Sequence, residues 1–341
     1  MRDKVFVAQP IPEVALDILR EVADVTVYPY LDRQISQDEL IANAKRCDWL
    51  YVLGDTIVSA DVINANPDLK AIGALTKVGI NIDIPAATAR NLPIVKGDTA
   101  EVFQGGVSLA TADLTVGMIL GLAYRIVDSD RYTRAGQFKQ EQTMALMGQG
   151  CPAKTVGMIG MGAVARYMVP RLKAFDMKVI YTKRNRLSAE DEKALGVEWV
   201  PELDTLIAES DYLSVQCDYN DSTHCLIGER EFGLMKKEAY FINTARGRIV
   251  DEKAMIKALQ DGVIAGAALD VYWDEPPYAD PYCPVELTKL DNVILAPHNG
   301  GATWEVRGTR CASVSRDLVR LMKGERPKGL LNPETMPLAA E

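Results

Sequence analysis

Short apolar, β-branched runs alternate with helically spaced apolar residues along almost the whole chain. Lys4–Ala8, Val25–Tyr28, Trp49–Leu53 and Leu69–Ile72 read as buried strands, and Val14–Val22, Gln37–Ala44 and Ser59–Asn64 carry helical spacing between them. Alternation of this kind marks βαβ units and a parallel sheet. A second series runs through Thr155–Ile159, Lys178–Tyr181, Tyr212–Gln216, Tyr240–Asn243, Ile264–Leu269 and Asn292–Leu295. Six strands with helices between them are the count of a complete doubly wound sheet. Between the two series, Val107–Ala135 predicts a helical connector with one apolar stripe. Glu305–Lys323 predicts a terminal helix ahead of the Pro- and Gly-containing tail Pro327–Pro337. The pattern as a whole predicts two α/β domains.

A length of 341 residues agrees with two domains of ordinary size. With 48% hydrophobic and 25% charged residues, no long stretch is expected to be disordered. A net charge of −9 argues against a nucleic-acid partner, since phosphate binding needs a basic face. The six cysteines contain no CxxC pair and no metal-like spacing, which suggests reduced thiols, a cytoplasmic location and no metal site. Val5–Ala8 is too short an apolar run for a signal peptide, and Leu114–Tyr124 has about half the ~20 residues needed to span a bilayer. No membrane role is expected.

The chemistry begins at Gly160-Met161-Gly162-Ala163-Val164-Ala165, directly after the strand Thr155–Ile159. This is G-x-G-x-x-A in the strand–turn–helix setting of a dinucleotide site. Gly160 makes the tight turn, Gly162 lets the backbone approach a pyrophosphate, and Ala165 allows close helix–strand packing. The amides of Ala163 and Val164 would face the phosphates at the positive helix end. Pro170 inside that helix is expected to bend it beyond the phosphate end. NAD-type sites place an acidic residue about 20 residues on, to hold the ribose 2′-hydroxyl. Here Lys183, Arg184 and Arg186 stand without a carboxylate among them, which suits a 2′-phosphate. NADP(H) is therefore the expected cofactor, with NAD(H) also usable. A solvated basic loop is the plainer alternative.

Only two histidines occur, His224 and His298. His298 follows the last strand of the second series, and catalytic groups in open α/β sheets gather outside the carboxyl ends of strands. A histidine also suits proton transfer near neutral pH. His224, in Asp221-Ser222-Thr223-His224, reads as a loop residue. Arg246 follows Phe241-Ile242-Asn243 and offers a planar guanidinium for a carboxylate next to a polarisable carbonyl. Glu275, after Asp270-Val271, is placed to pair with His298, and an adjacent carboxylate favours the charged imidazolium.

From about Leu50 to Asn332 the sequence resembles the D-isomer-specific 2-hydroxyacid dehydrogenases. The resemblance is carried by Gly160–Ala165, Asn243-Thr244-Ala245-Arg246-Gly247, Leu269-Asp270-Val271 with Glu275-Pro276, and Pro297-His298-Asn299-Gly300-Gly301-Ala302-Thr303. It implies a flavodoxin-like substrate domain made of residues 1–104 and 300–341, and a doubly wound parallel-sheet dinucleotide-binding domain of residues 105–299. It implies Arg246 as substrate clamp, Glu275 as partner of His298, and Asp270 near the nicotinamide amide. It also implies cofactor contacts from Cys217, Thr244, Ala245 and Gly300, and substrate contacts from Lys77, Val78, Gly79, Arg246 and His298. A homodimer and a small 2-oxo or 2-hydroxy acid substrate belong to the same implication. In the cofactor loop the chain is most similar to NADP-dependent glyoxylate/hydroxypyruvate reductases.

The sequence departs from the family pattern in places. Asp113 stands for the connector's usual glutamate, Lys77 for a glycine of the substrate loop, and Asp218-Tyr219 for Pro-Leu. Lys77 beside a carboxylate-binding loop would add a second anion contact. Two alternatives share the scaffold: a formate- or phosphite-oxidising enzyme, against which Glu275 argues, and a non-enzymatic dinucleotide-sensing regulator.

Overall fold

A computed structural model describes residues 2–75, 81–98, 105–141, 144–275 and 283–337. The chain divides into two compact units, residues 1–106 with 303–341, and residues 107–302.

The first unit is built on five strands: β1 (Asp3–Val7), β2 (Ala23–Val27), β3 (Trp49–Leu53), β4 (Ala71–Leu75) and β5 (Ile94–Val95). All pair in parallel, in the order β2-β1-β3-β4-β5, which is the flavodoxin-like winding. Every residue of β3 and β4 is buried, as expected of parallel strands covered on both faces. One face packs against Ala15, Leu16, Leu19, Val314 and Leu318, from the helices Glu13–Arg20 and Trp304–Met322. The helix Gln37–Ala44 starts in a capping box, with Ser36 accepting from the Glu39 amide and Glu39 reaching back. Its Leu40 and Ala44 lie in the core on the other face. The Tyr51 hydroxyl donates to the Cys311 carbonyl at 3.1 Å and ties the C-terminal helix to β3. Strand β4 lies later than the Leu69–Ile72 run suggested, and β5 has only two residues, too few to leave a pattern.

The second unit carries seven parallel strands: β6 (Thr155–Ile159), β7 (Lys178–Thr182), β8 (Glu198–Trp199), β9 (Tyr212–Val215), β10 (Tyr240–Asn243), β11 (Gly266–Leu269) and β12 (Val293–Leu295). Their order is β12-β11-β10-β9-β6-β7-β8. The winding reverses between β6 and β9, and ligands of such sheets bind outside the carboxyl ends at that switch point. The two-residue β8 is the strand that the sequence pattern missed. The connector is two helices, Gly106–Ala123 and Ile126–Arg134, separated at Arg125 by a left-handed backbone (φ 49°). The first is long and apolar enough to cross a membrane by length and composition, with mean hydropathy 1.6 and half of that length buried. Its Ala112, Val116 and Ile119 pack with Val156, Met158 and Ala268 in this unit's core. Pro170 lies inside the helix Ala163–Ala174 without interrupting it.

Candidate active site

The glycine turn sits at the switch point. Gly160 has φ 107°, and a Cβ there would lie 2.5 Å from the carbonyl oxygen of Gln216, at the end of β9. Only glycine both adopts that backbone and allows the two strand ends to approach so closely. Gly162 then starts the helix Ala163–Ala174, and among the described residues no side chain caps its first turn. Nothing described lies within 4 Å of a Cβ built on Gly162. Open space over uncapped amides, including those of Ala163 and Val164, fits the pyrophosphate of a dinucleotide. Cys217 follows at the end of β9, partly buried, and burial pushes its thiol up to about 11. Thr244, at the end of β10, is buried with its hydroxyl 2.9 Å from that of Thr115 and accepts from Gln216 Nε2 at 3.3 Å.

The basic loop after β7 is less uniform than its sequence. Arg186 forks onto Glu192, with Nε and Nη2 each donating at 2.8 Å, and lies 4.7 Å above the Trp199 ring. The Tyr181 hydroxyl donates to the same carboxylate at 2.6 Å. The Arg186 bonds and the Tyr181 bond hold the Glu192 carboxyl down at about 2. The expected trio of cations is thus narrowed: Arg186 already has a bidentate partner. Arg184 is exposed and donates to the Ser222 hydroxyl at 3.1 Å, and Lys183 makes no hydrogen bond or ion pair among the described residues.

Three loops meet after β10, β11 and β12. His298 has a left-handed backbone (φ 55°), uncommon for a residue other than glycine, and its Nδ1 lies 2.6 Å from Glu275 Oε2. The other oxygen of Glu275 accepts from the Tyr272 amide at 3.0 Å. Burial pushes the Glu275 carboxyl up, but the His298 bond and charge, the Tyr272 amide and the Arg246 charge together hold it below its ordinary value. Asp270 is 1% exposed and accepts from the amides of Asn299 at 2.5 Å and Gly300 at 2.8 Å. It therefore grips the two residues that follow His298. Burial raises its carboxyl, against the pull of those amides and of His298. Tyr272 adds a further tie, its hydroxyl donating to the Ala296 carbonyl at 3.0 Å.

Arg246 is exposed, and its Nη1 donates to the Ala245 carbonyl. The Asn243 side chain closes this turn from inside, accepting from Ala245 N and donating to the Arg246 carbonyl, both at 3.0 Å. A Cβ on Gly247 would fall 1.8 Å from the Tyr272 carbonyl oxygen, so the Arg246 and Glu275 loops touch backbone to backbone. Asn243 and Gly247 stand in the sequence motif around Arg246 without a role assigned to them, and Tyr272 is not singled out by the sequence. An asparagine three residues before Arg246 is a recognisable turn former and was the available signal. His224 lies in an exposed loop, its Nδ1 3.2 Å from the Tyr219 hydroxyl and its ring 5.6 Å from that of Trp273. Lys77, Val78 and Gly79 lie outside the described residues.

A doubly wound sheet with this glycine turn at its switch point, and an Arg–Glu–His set after three neighbouring strands, defines the class of nicotinamide-dependent oxidoreductases. Residues 116–300 match the NAD binding domain of the D-isomer specific 2-hydroxyacid dehydrogenases. The chain is 39% identical over 336 residues to a glyoxylate reductase of Thermofilum pendens, covering 98% of this chain and 96% of that protein. The protein belongs to the D-isomer specific 2-hydroxyacid dehydrogenases and is an NAD(P)-dependent enzyme of that family. Among solved structures it resembles D-lactate dehydrogenase from Escherichia coli, with 26% identity, TM-score 0.78 and coverage of 96% of this chain and 99% of that one. A glyoxylate reductase from Paecilomyes thermophila gives 28% identity, TM-score 0.68 and coverage of 95% and 97%.

Proposed function

We propose that the enzyme reduces a small 2-oxo acid of the glyoxylate or hydroxypyruvate kind to the D-2-hydroxy acid. The carrying observation is the 2.6 Å pair of His298 and Glu275, with the Arg246 loop in backbone contact beside it. The nicotinamide, when bound, supplies the hydride to the carbonyl carbon. His298 hands a proton to the carbonyl oxygen; Nδ1 faces Glu275, which leaves Nε2 as the donating nitrogen. Glu275 orients the ring and balances its charge, and Arg246 holds the substrate carboxylate in bidentate fashion. Asp270 keeps His298 in its strained backbone. The substrate reading draws on the glyoxylate reductase relative.

NADPH is the preferred reductant in this reading, with Lys183 and Arg184 meeting the 2′-phosphate and NADH used less well. The enzyme works as a homodimer, as the family resemblance implies; light scattering of the purified protein reads that directly. A panel of 2-oxo acids assayed with NADPH and NADH in parallel tests the proposal. Glyoxylate or hydroxypyruvate with NADPH is expected to give the fastest turnover. Faster turnover with NADH contradicts the cofactor assignment, and dinucleotide binding without turnover on any acid contradicts the enzyme assignment in favour of a sensor.

A further inference from the structure

Glu275 sits at the end of an irregular segment, Asp270–Glu275, that leaves β11 with no helix or strand of its own. Something must hold it, because a carboxylate that partners an acid/base has to stay within a few tenths of an ångström of its place. The Asp270 end is held by the His298 loop. The Trp273–Asp274 end is held by residues that follow Arg246 in the chain. The Trp273 amide donates to Glu252 Oε2 at 3.1 Å. The Trp273 carbonyl accepts from Arg248 Nε at 3.1 Å, and Arg248 Nη2 donates to Asp274 Oδ1 at 2.7 Å. One planar guanidinium thus spans two successive residues, and its Cζ lies 5.8 Å from the Trp273 ring centroid. The His224 ring also packs against that tryptophan, at 5.6 Å.

We propose that Arg248 and Glu252 are positioning residues that hold Glu275 against His298 and lock the Arg246 and Glu275 loops into one piece. The inference rests on the acid/base reading given above. Each contact has a reason to matter. A charge-assisted fork is stronger and more directional than neutral bonds. Both backbone groups of Trp273 are engaged, so the segment cannot rotate about that residue without losing at least one bond. Neither side chain reaches His298 itself, so their effect passes through the Glu275 carboxylate. The titratable and charged groups in play are few. His298, Arg246, Asp270 and Tyr272 face Glu275; Asp274, Glu286 and Cys283 face Glu252; and Asp274 and Tyr219 face Arg248.

The test uses the full chain with NADPH and glyoxylate, comparing Arg248→Met, Arg248→Lys, Glu252→Ala and Glu252→Gln with the parent. Arg248→Met is expected to lower kcat about tenfold while leaving the KM for NADPH within about twofold, as a misplaced catalytic group does. The pH profile of its kcat/KM is expected to differ from that of the parent, because Glu275 no longer meets the imidazole squarely. Arg248→Lys should recover only part of kcat, since one ammonium cannot reproduce the fork. Glu252→Gln, which keeps an acceptor for the Trp273 amide, should outperform Glu252→Ala. A lower melting temperature with kcat and pH profile unchanged in both Arg248 variants makes the contacts merely structural and overturns the inference. If Arg248→Met fails to fold, Arg248→Lys and the Glu252 pair decide it by the same readouts. His298→Asn keeps the two readings apart: full turnover in that variant sinks the acid/base assignment. An inert His298→Asn beside parent-like Arg248 and Glu252 variants sinks only the positioning.

Discussion

The two ends of the second unit's carboxyl edge are built on opposite plans. After β10, β11 and β12, the loops that carry the candidate catalytic groups are tied to one another: Glu275 to His298, Asp270 to Asn299 and Gly300, and Gly247 against Tyr272. After β7, by contrast, Arg186 is turned onto Glu192 and Lys183 makes no described polar contact. The end to which the proposal assigns acid/base chemistry is preorganised, so its geometry exists before any ligand arrives, which is what charge development in a transition state rewards. In the proposed function the β7 end leaves Lys183 and Arg184 for the 2′-phosphate to complete, which is how a site discriminates between a phosphate and a hydroxyl.

Substitutions can break or sharpen this contrast. At the preorganised end, Glu275→Gln is expected to reduce kcat by roughly 10²-fold, at the low end of general acid–base contributions. Dinucleotide affinity, read by fluorescence titration, should stay near the parent value. Gly247→Ala should cost about tenfold in kcat/KM and lower the melting temperature. The new Cβ meets a carbonyl oxygen at 1.8 Å, and the Arg246 and Glu275 loops must separate. A variant as active and stable as the parent would show that the close approach is not needed.

At the ribose end, Lys183→Ala combined with Arg184→Ala is expected to raise the KM for NADPH about tenfold and leave that for NADH nearly unchanged. Equal losses with both cofactors would assign these cations to a general electrostatic role. Arg186→Met should have the smallest effect on cofactor choice, and its signature is pH-dependent stability instead. Glu192 is held at about 2 against an ordinary 4.5, so its contribution is fully present above about pH 4.5 and is lost as pH falls toward 2. The difference in urea midpoint between parent and Arg186→Met should therefore shrink across that window. A difference that stays constant from pH 7 to 3 would contradict the pairing.

Much of the fold was legible because parallel strands covered on both faces leave continuous apolar runs, as Trp49–Leu53 and Tyr240–Asn243 do. Strands β5 and β8 were not, since two residues are too few to show a period. The helix break at Arg125 has no glycine or proline to announce it. Arg246, Glu275 and His298 could be singled out because each follows a strand and carries a chemistry-bearing side chain. The grip of Asp270 on the His298 loop was hidden, because it joins residues about thirty apart through backbone amides that no residue type encodes. The pairing of Arg186 was hidden for a similar reason. Its partner Glu192 and its platform Trp199 come together only when the chain folds.

The central claim is that His298 transfers the proton within a preorganised pair. Its most direct measurement is the steady-state oxidation of NADPH with glyoxylate by His298→Asn, paired with an equilibrium titration of NADPH. Turnover roughly 10²- to 10⁴-fold below the parent with unchanged NADPH affinity is the predicted result. Turnover within about twofold of the parent, outside the range of a lost general acid, would contradict the account.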